Sequence, residues 1–360
     1  MALQALKTLC QQLQQAKPLH IESPPEQPRR AAVAAILRCR PIEHDHPSTF
    51  NTDPITNVAD FLQQPWVQQS SEPELLFIQR ATRETDRWSG HVAFPGGKNE
   101  ANETDEETAI RETMEEIGLD IGSSAFVKVG QLDEREITST ATGRLMMILT
   151  PFVFLQVVPD TPPLTIQESE VATVQWVPLR FFLSSTPYPD QSMQESIAPT
   201  RRRDSRMIAP LARVMLGTVS FPAIDLPVDD PEEHRMRLWG MTLGMTRELI
   251  ELTCTDTTST IDGRPAWQQQ FVTMAAARPK FSNLDMQWLV EFYLRLSKPR
   301  SKTLHSSSLR KHRHTKETII YITAFRRAIY TAVALRILLL LAGIGYLGRR
   351  LPLSRLIKLY

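Results

Sequence analysis

The chain has 360 residues, more than one ordinary domain, and its 42% hydrophobic and 22% charged residues are the proportions of a globular protein. The net charge is +1, but residues 298–360 carry fourteen Lys or Arg against one acid, Glu317, so a basic tail follows an acidic body. A basic tail alone does not indicate nucleic-acid binding, and the three cysteines show neither metal-binding spacing nor a disulfide pattern.

The first quarter of the chain predicts an extension, a strand and an insertion. Residues 1–28 begin with the amphipathic segment MALQALKTLCQQLQQ, which lacks the apolar core of a signal peptide. Residues 29–39, RRAAVAAILRC, are apolar and predict the first strand. Residues 41–73, like residues 184–206 further on, are rich in proline and polar side chains, so we expect both to be surface insertions.

A basic segment lies between two short apolar runs. Residues 75–78 and residues 91–94 each predict a strand. Arg80, Arg83 and Arg87 lie between them, and guanidinium groups suit two-point contacts with phosphate. We expect phosphate contact for Arg80 and Arg87 and leave Arg83 open, the alternative being solvated loop arginines. His91 is expected to be structural.

Residues 97–119, GKNEANETDEETAIRETMEEIGL, predict an acidic helix. Thr104 and Glu107 form a capping box, so the helix should begin near residue 105. Gly118 suits a left-handed cap, so the helix should end at Ile117. Within it, Glu107 precedes Arg111 by four residues, the favourable order for an ion pair.

Three glutamates of this helix share one face. Glu112, Glu115 and Glu116 are spaced i, i+3 and i+4, which places their carboxylates together. Clustered carboxylates repel one another unless a cation lies between them, and hard oxygen ligands suit Mg²⁺ or Mn²⁺. Such ions can clamp a diphosphate and lower the pKa of an attacking water. The spacing therefore predicts a divalent-metal site.

The same residues resemble the Nudix box, G-x5-E-x7-R-E-U-x-E-E-x-G-U, with Thr113 as the one departure. The resemblance implies a Nudix hydrolase with an α/β/α sandwich, a mixed sheet and an Mg²⁺ or Mn²⁺ cofactor. It further implies roles for the box residues: metal ligands at Glu112, Glu115, Glu116 and the Gly97 carbonyl, orienting roles for Arg111 and Glu103, and a structural role for Gly118.

The stretch before the box is similar to the signature of the coenzyme A pyrophosphatase branch of this family. The features that carry the similarity are the paired leucines Leu75 and Leu76, then Arg87, Gly90 and the run Phe94-Pro95-Gly96-Gly97. Two residues separate Arg87 from Gly90 where the branch has three, and Phe77 replaces a threonine. The similarity implies coenzyme A or an acyl derivative as substrate, with Arg80, Arg87 and Gly96 contacting it.

Segments after the box continue the resemblance. Residues 143–156 are apolar and predict a strand, and residues 170–179 resemble the strand that faces the box. Glu170, at its start, is a candidate metal ligand or general base, and Glu168 competes for the same role. Residues 238–252 resemble the closing helix, with Trp239 and Leu243 in the core.

The C-terminal third predicts a membrane anchor. We expect the Nudix domain over residues 29–255, followed by four segments: a helical extension (256–297), a basic linker (298–327), a transmembrane helix (328–348) and a short basic end (349–360). The apolar run is long enough to span a bilayer, although Arg336 near its middle costs about 2.5–3.5 kcal/mol on an insertion scale. An interfacial amphipathic helix and a buried helix are the alternatives.

The sequence thus predicts a membrane-tethered, metal-dependent hydrolase of a phosphoanhydride, with its catalytic body in the cytosol and a mitochondrial or peroxisomal membrane as candidate location. Coenzyme A is the expected substrate class and would give adenosine 3′,5′-bisphosphate and 4′-phosphopantetheine. Another nucleoside diphosphate derivative is the enzymatic alternative. A non-catalytic ligand sensor is the other, although the intact carboxylate set argues against it. No nucleic-acid partner is expected, and the oligomeric state is left open.

Overall fold

A computed structural model describes residues 1–42, 55–69, 71–83, 89–139, 144–184, 191–196, 217–228, 235–253, 271, 275, 278–297 and 313–350. The chain divides into two compact units. The first contains residues 1–138, 144–193 and 222–278, and the second contains residues 139–143, 194–221 and 279–360. The predicted extension, 1–28, is therefore part of the first unit.

The strands are β1 (Arg30–Pro41), β2 (Ser71–Arg80), β3 (Val92–Ala93), β4 (Gly96–Lys98), β5 (Phe126–Gln131), β6 (Arg135–Thr138), β7 (Leu145–Gln156), β8 (Val171–Pro178), β9 (Gln191–Ser196), β10 (Thr218–Asp225), β11 (Arg237–Trp239) and β12 (Lys280–Phe281). The helices are α1 (Ala2–Gln15), α2 (Val58–Gln63), α3 (Pro65–Gln69), α4 (Asp105–Ile117), α5 (Leu179–Phe182), α6 (Gly240–Glu251), α7 (Leu284–Ser297) and α8 (Arg313–Arg350).

An eight-stranded mixed sheet forms the centre of the first unit. Its main order is β3-β2-β1-β7-β5, with β4 paired to β1, β6 to β7 and β8 to β2. Strands β1 and β7 run parallel, from Arg30 opposite Ile148 to Leu37 opposite Leu155, and the other pairs are antiparallel. The mixed sheet predicted from the resemblance is confirmed.

Helices cover both faces of this sheet, and strand β1 is therefore buried on both sides. Ala32, Ala34 and Ile36 belong to one apolar cluster, which includes Ala109 and Ile117 of α4. The alternate residues of β1 belong to the larger cluster on the other side, with side chains from α1, α2, α3, α5 and α6. The alternation follows the two-residue period of a strand, and the layers form the expected α/β/α sandwich.

One prediction for the first hundred residues needs correction. Residues 58–69 are not a surface insertion, because α2 and α3 bury Val58, Phe61, Trp66 and Val67. Helix α1 packs against β5 and β2 and buries Leu6, Leu9 and Cys10 in the larger cluster. Its amphipathic pattern was visible in the sequence, but the sheet face that receives it was not.

The second unit contains β12, α7 and α8. Met286, Leu289, Val290 and Leu294 of α7 pack with Ala324, Ala328 and Ala332 of α8. Helix α8 begins at Arg313, so the predicted linker, 298–327, is wrong from that residue onward. The reason is that residues 313–327 contain neither Gly nor Pro, and residues 320–329 supply part of the apolar face that packs against α7.

Candidate functional site

The helix that carries the acidic motif is fixed at both ends by its own sequence. Thr104 accepts a hydrogen bond from the Glu107 N–H, and Glu107 accepts one from the Thr104 N–H at 2.8 Å. At the other end, Gly118 adopts φ 71°, a left-handed conformation that favours glycine. The predicted bounds are confirmed, and they fix the direction in which the glutamates project.

Thr113, the one departure from the box pattern, is completely buried in α4. Its hydroxyl donates a hydrogen bond to the Ala109 carbonyl at 2.7 Å. Because that bond satisfies the buried polar group within the helix itself, threonine can replace a bulky apolar residue at this position.

Arg111 joins four carbonyl and carboxylate groups. Its Nε and Nη2 donate to the two oxygens of Glu103 at 2.8 and 3.0 Å, and Nη2 also reaches the Lys98 carbonyl. Its Nη1 lies 3.1 Å from Glu112 and 2.9 Å from Glu115. The hydrogen bonds from Arg111 lower the pKa of Glu103 to about 2, and those with Glu103 raise the pKa of Arg111.

The ion pair expected between Glu107 and Arg111 is replaced by this arrangement. The Glu107 carboxylate accepts from both the N–H and the hydroxyl of Thr104, at 2.8 and 2.7 Å. The Glu107 side chain therefore serves the capping box instead of pairing with Arg111 four residues later. Glu103, eight residues before Arg111, supplies the two-point partner instead.

Glu116 is the most buried carboxylate of the motif. One of its oxygens accepts from the Gly96 N–H at 2.9 Å, and the other lies 3.5 Å from Arg80 Nη1. Burial raises the pKa of Glu116 to about 7, and the charges of Glu112 and Glu170 add to the rise. Glu116, Gly96 and Arg80 thus meet at one point, although the sequence placed them in separate motifs.

Glu112 rests directly against the glycine turn. A Cβ built on Gly97 would lie 2.3 Å from Glu112 Cδ, so only glycine leaves room for the carboxylate. Burial raises the pKa of Glu112, and the neighbouring charges of Glu115 and Glu170 act in the same direction. Gly96 is equally constrained, because its Cβ would lie 2.2 Å from the Ala32 carbonyl oxygen.

The two competing glutamates before β8 differ in their surroundings. Glu170 pairs with Arg83 at 3.3 Å, and its charge acts on both Glu112 and Glu116. Glu168 is exposed, and its charge is not among the main causes that raise the pKa of Glu112 or Glu116. Of the two glutamates, Glu170 is therefore the one whose charge acts on the acidic motif, and Arg83 is its ion-pair partner.

Some of the remaining predicted residues are described by the structure, and others are not. Arg80 lies beside Glu116 at the end of β2, where we expected a phosphate contact. His91 packs edge-to-face on Trp239, with 4.8 Å between ring centroids, as a structural residue would. Arg87 lies outside the described residues, as do Cys254 and residues 197–216.

The donor set fits a divalent cation in its chemistry. Within the described ranges, no three acidic, histidine or cysteine side chains converge on one point as a preformed metal site, since the guanidinium of Arg111 separates Glu112 from Glu115. Burial raises the pKa values of Glu112 and Glu116, and the charges of neighbouring carboxylates add to the rise. A bound hard cation would offset both effects.

A polar network at the start of α4 was missed by the sequence reasoning. Arg30 donates to Asp105 at 3.0 and 2.8 Å and to Glu134 at 2.6 Å, and Thr150 and Asn99 also donate to Asp105. Burial opposes the ionisation of Asp105, but these hydrogen bonds outweigh it and lower its pKa. The network fixes the first turn of the acidic helix to β1 and β7, through residues too far apart in sequence to give a local signal.

Comparison with known proteins identifies the domain. Residues 66–194 match the family model described as NUDIX domain. Residues 66–194 are thus similar to a Nudix domain. The matched residues include the acidic motif, the glycine turn and strand β8.

Several known proteins are similar to part of this chain. An uncharacterised protein of Schizosaccharomyces pombe is 37% identical over 210 residues, 58% of each chain. The mitochondrial coenzyme A diphosphatase NUDT8 of mouse is 46% identical over 50 residues, 14% of this chain and 24% of the relative, and that of human is 50% identical over 48 residues, 13% and 20%. The chain thus spans less than two thirds of the length of the curated relatives it matches.

The Nudix domain of Shewanella oneidensis NrtR, solved with ADP ribose, matches with a TM-score of 0.27 and 16% identity, covering 48% of this chain and 84% of that one. A Caenorhabditis elegans Ap4A hydrolase matches with a TM-score of 0.25 and 14% identity, covering 41% and 78%.

Proposed function

We propose that this protein is a Nudix hydrolase that uses Mg²⁺ or Mn²⁺ to cleave a phosphoanhydride bond. The observation that carries the proposal is the buried Glu116 carboxylate, which contacts both Arg80 and the Gly96 N–H while the charges of Glu112 and Glu170 act on it. A carboxylate beside a guanidinium, with further acidic groups on the same helix, suits a site that holds a cation and a phosphate together. A sensor would have no need to keep the full set of carboxylates, or an Arg111 that donates two hydrogen bonds to Glu103.

We further propose coenzyme A or an acyl-coenzyme A as the substrate. Two findings support this class: the similarity of the segment before the box to the coenzyme A pyrophosphatase signature, and the partial identity to the mouse and human coenzyme A diphosphatases. Water would add to one phosphorus of the diphosphate, the bridging P–O bond would break, and the products would be adenosine 3′,5′-bisphosphate and 4′-phosphopantetheine.

Each residue of the site has a distinct proposed role. A bound divalent ion supplies charge neutralisation and a more acidic water, and Glu112, Glu115, Glu116 and the Gly97 carbonyl are the groups that would hold it. Arg111, fixed by Glu103, orients Glu112 and Glu115. Glu170 is the proposed general base, since it is partly exposed and faces the acidic motif. Arg80 would contact a phosphate of the substrate.

The test is a substrate panel on the full-length protein with Mg²⁺, Mn²⁺ or EDTA. We expect coenzyme A to be cleaved to the two named products, EDTA to abolish turnover, and Glu112→Gln or Glu115→Gln to lower kcat by orders of magnitude. The matched control is Glu106→Gln on the same helix, because Glu106 pairs with Lys128 away from the motif.

Different outcomes separate the proposals. Preference for another nucleoside diphosphate derivative, such as ADP-ribose, would contradict the substrate class and leave the chemistry intact. Turnover that persists in EDTA, or in both glutamine variants, would contradict the metal site. Binding of coenzyme A without turnover under any metal would favour the sensor.

We also propose that α8 anchors the protein in a membrane, with a mitochondrial or peroxisomal membrane as the candidate and the catalytic body in the cytosol. Within residues 320–346, an 18-residue window has a mean hydropathy of 2.0, and 11% of that window is buried in the protein. A core helix of a soluble protein would be mostly buried. The mitochondrial location in the names of the mouse and human relatives supports the first candidate.

Alkaline carbonate extraction tests the anchor. The full-length protein should remain in the membrane pellet, and replacing Leu339 and Leu340 by Arg should release it, because both side chains are exposed and hold no part of the fold together. Their replacement by Ala is the control and should leave the protein in the pellet. Release of the unaltered protein by carbonate would contradict the proposal.

A further inference from the structure

Helix α7 exposes a continuous apolar stripe. Leu284, Trp288, Phe292 and Leu296 recur at every fourth position, which places them on one side of the helix, and they are between 42% and 86% exposed. The rings of Trp288 and Phe292 stack with centroids 5.4 Å apart. Isolated exposed apolar residues are ordinary, but a contiguous stripe of large ones marks a contact surface.

The opposite side of α7 packs against the candidate membrane span. Its buried residues contact Ala324, Ala328 and Ala332, all within residues 320–346. Small residues at such a contact let two helices approach closely. Helix α7 therefore lies alongside the first half of the span, and its apolar stripe faces whatever surrounds the span at that level.

The second half of the span shows what the surroundings must be. Residues 337–346 of α8 are exposed on every side and include Ile337, Leu338, Leu339, Leu340 and Leu341. A protein partner would cover one face of this helix, whereas a helix that is apolar all round needs an apolar environment all round. A lipid bilayer supplies it.

The charge that opposed insertion has a partner on α7. Arg336 Nη2 lies 2.5 Å from Asp285 Oδ2, so the cation in the middle of the span is paired. Tyr293 of α7 adds a second polar contact, 2.7 Å from the Thr331 hydroxyl. Ionisable groups within membrane helices pair with one another in this way.

We infer that α7 is a second membrane-contacting element, so that α7 and α8 bind the bilayer together, with the stripe Leu284, Trp288, Phe292 and Leu296 against lipid and Asp285 compensating Arg336. The inference rests on the anchor proposal. Arg295 is the exposed cation beside the stripe; it lies in the last turn of α7, and its long side chain can reach lipid headgroups.

The experiment places an environment-sensitive dye on the stripe. Trp288→Cys in a Cys254→Ser background is labelled with a nitrobenzoxadiazole fluorophore, because Cys10 and Cys39 are buried and burial raises their pKa values to about 12. The full-length protein is reconstituted into phosphatidylcholine–phosphatidylserine vesicles and floated on a density gradient. The control is Ile42→Cys, an exposed apolar position in the first unit.

We expect the protein to float, and the dye at position 288 to shift its emission to the blue and to be quenched by spin-labelled lipid, while the dye at position 42 does neither. Flotation without quenching at position 288 would overturn the role of α7 and leave the anchor intact. Failure to float would overturn the anchor and this inference together. A blue shift that depends on protein concentration and ignores lipid quencher would assign the stripe to a second copy of the chain.

The ion pair is tested separately. Asp285→Asn should reduce the floated fraction, because Arg336 then enters the apolar environment unpaired, and adding Arg336→Leu should restore it. Circular dichroism checks that both variants keep their helices. Unchanged flotation of Asp285→Asn, or no recovery in the double variant, would overturn the compensating role of Asp285.

Discussion

Replacing Glu103 by Gln removes the charge that holds Arg111 in place. Arg111 lowers the pKa of Glu103 from its ordinary value of 4.5 to about 2, which corresponds to about 3 kcal/mol of stabilisation before solvent screening. The Glu103 side chain is 13% exposed and that of Arg111 23%, so we expect about 1–2 kcal/mol to remain after screening. Glutamine keeps one acceptor, and it loses the charge.

The dependence on pH identifies the cause. Because the pKa of Glu103 is lower in the folded state, its contribution is fully present above pH 4.5 and is lost as the pH falls towards 2. The difference in unfolding free energy between the unaltered protein and Glu103→Gln should therefore be constant from pH 7 to 5. Below pH 4.5 it should shrink by about 1.4 kcal/mol for each pH unit until it is exhausted.

Urea unfolding of the full-length protein in mild detergent, followed by circular dichroism at several pH values, measures this difference. Glu106→Gln serves as the control, since its exposed pair with Lys128 should contribute under about 1 kcal/mol. A Glu103→Gln variant as stable as the unaltered protein at pH 7 would refute the reasoning. A difference that persists unchanged at pH 3 would refute it as well.

Two further predictions concern catalysis. Gly97→Ala should lower kcat about 100-fold with the fold retained, because its Cβ would displace the Glu112 carboxylate. The control is Gly244→Ala, whose Cβ would meet its nearest atom at 3.4 Å, and it should leave kcat unchanged. Arg80→Ala should narrow the preference for coenzyme A over 3′-dephospho-coenzyme A by about tenfold to a hundredfold, the loss of one charge-assisted contact worth about 1.5–3 kcal/mol. Equal kcat/KM for the two substrates in the unaltered protein would contradict a contact between Arg80 and the 3′-phosphate.

Local signals in the sequence carried most of what could be predicted about the acidic helix. Thr104, Glu107 and Gly118 act within a few residues of themselves, so a capping box and a left-handed cap fix the helix before any tertiary contact is known. The centres of β1 and β2 were predictable for a related reason, since residues 31–37 and 75–78 are apolar runs in strands that are buried on both faces.

Contacts between distant segments could not be predicted in the same way. Arg30 meets Asp105 and Glu134 only after the sheet has formed, and nothing near Arg30 in the sequence indicates either partner. Asp285 likewise gives no local sign that it will meet Arg336. In α4, two local preferences competed for Glu107, and the capping box prevailed over the ion pair with Arg111.

The parallel pairing of β1 with β7 has a consequence for how the protein is made. Arg30 pairs with Ile148, more than a hundred residues later, so a nascent chain leaving the ribosome at about 5–20 residues per second must wait roughly 5–25 s before its central strand gains that neighbour. During this interval one edge of β1 is open to pairing with other chains. We therefore expect newly synthesised protein to depend on holding chaperones until β7 has emerged, and slower translation between β1 and β7 to increase aggregation.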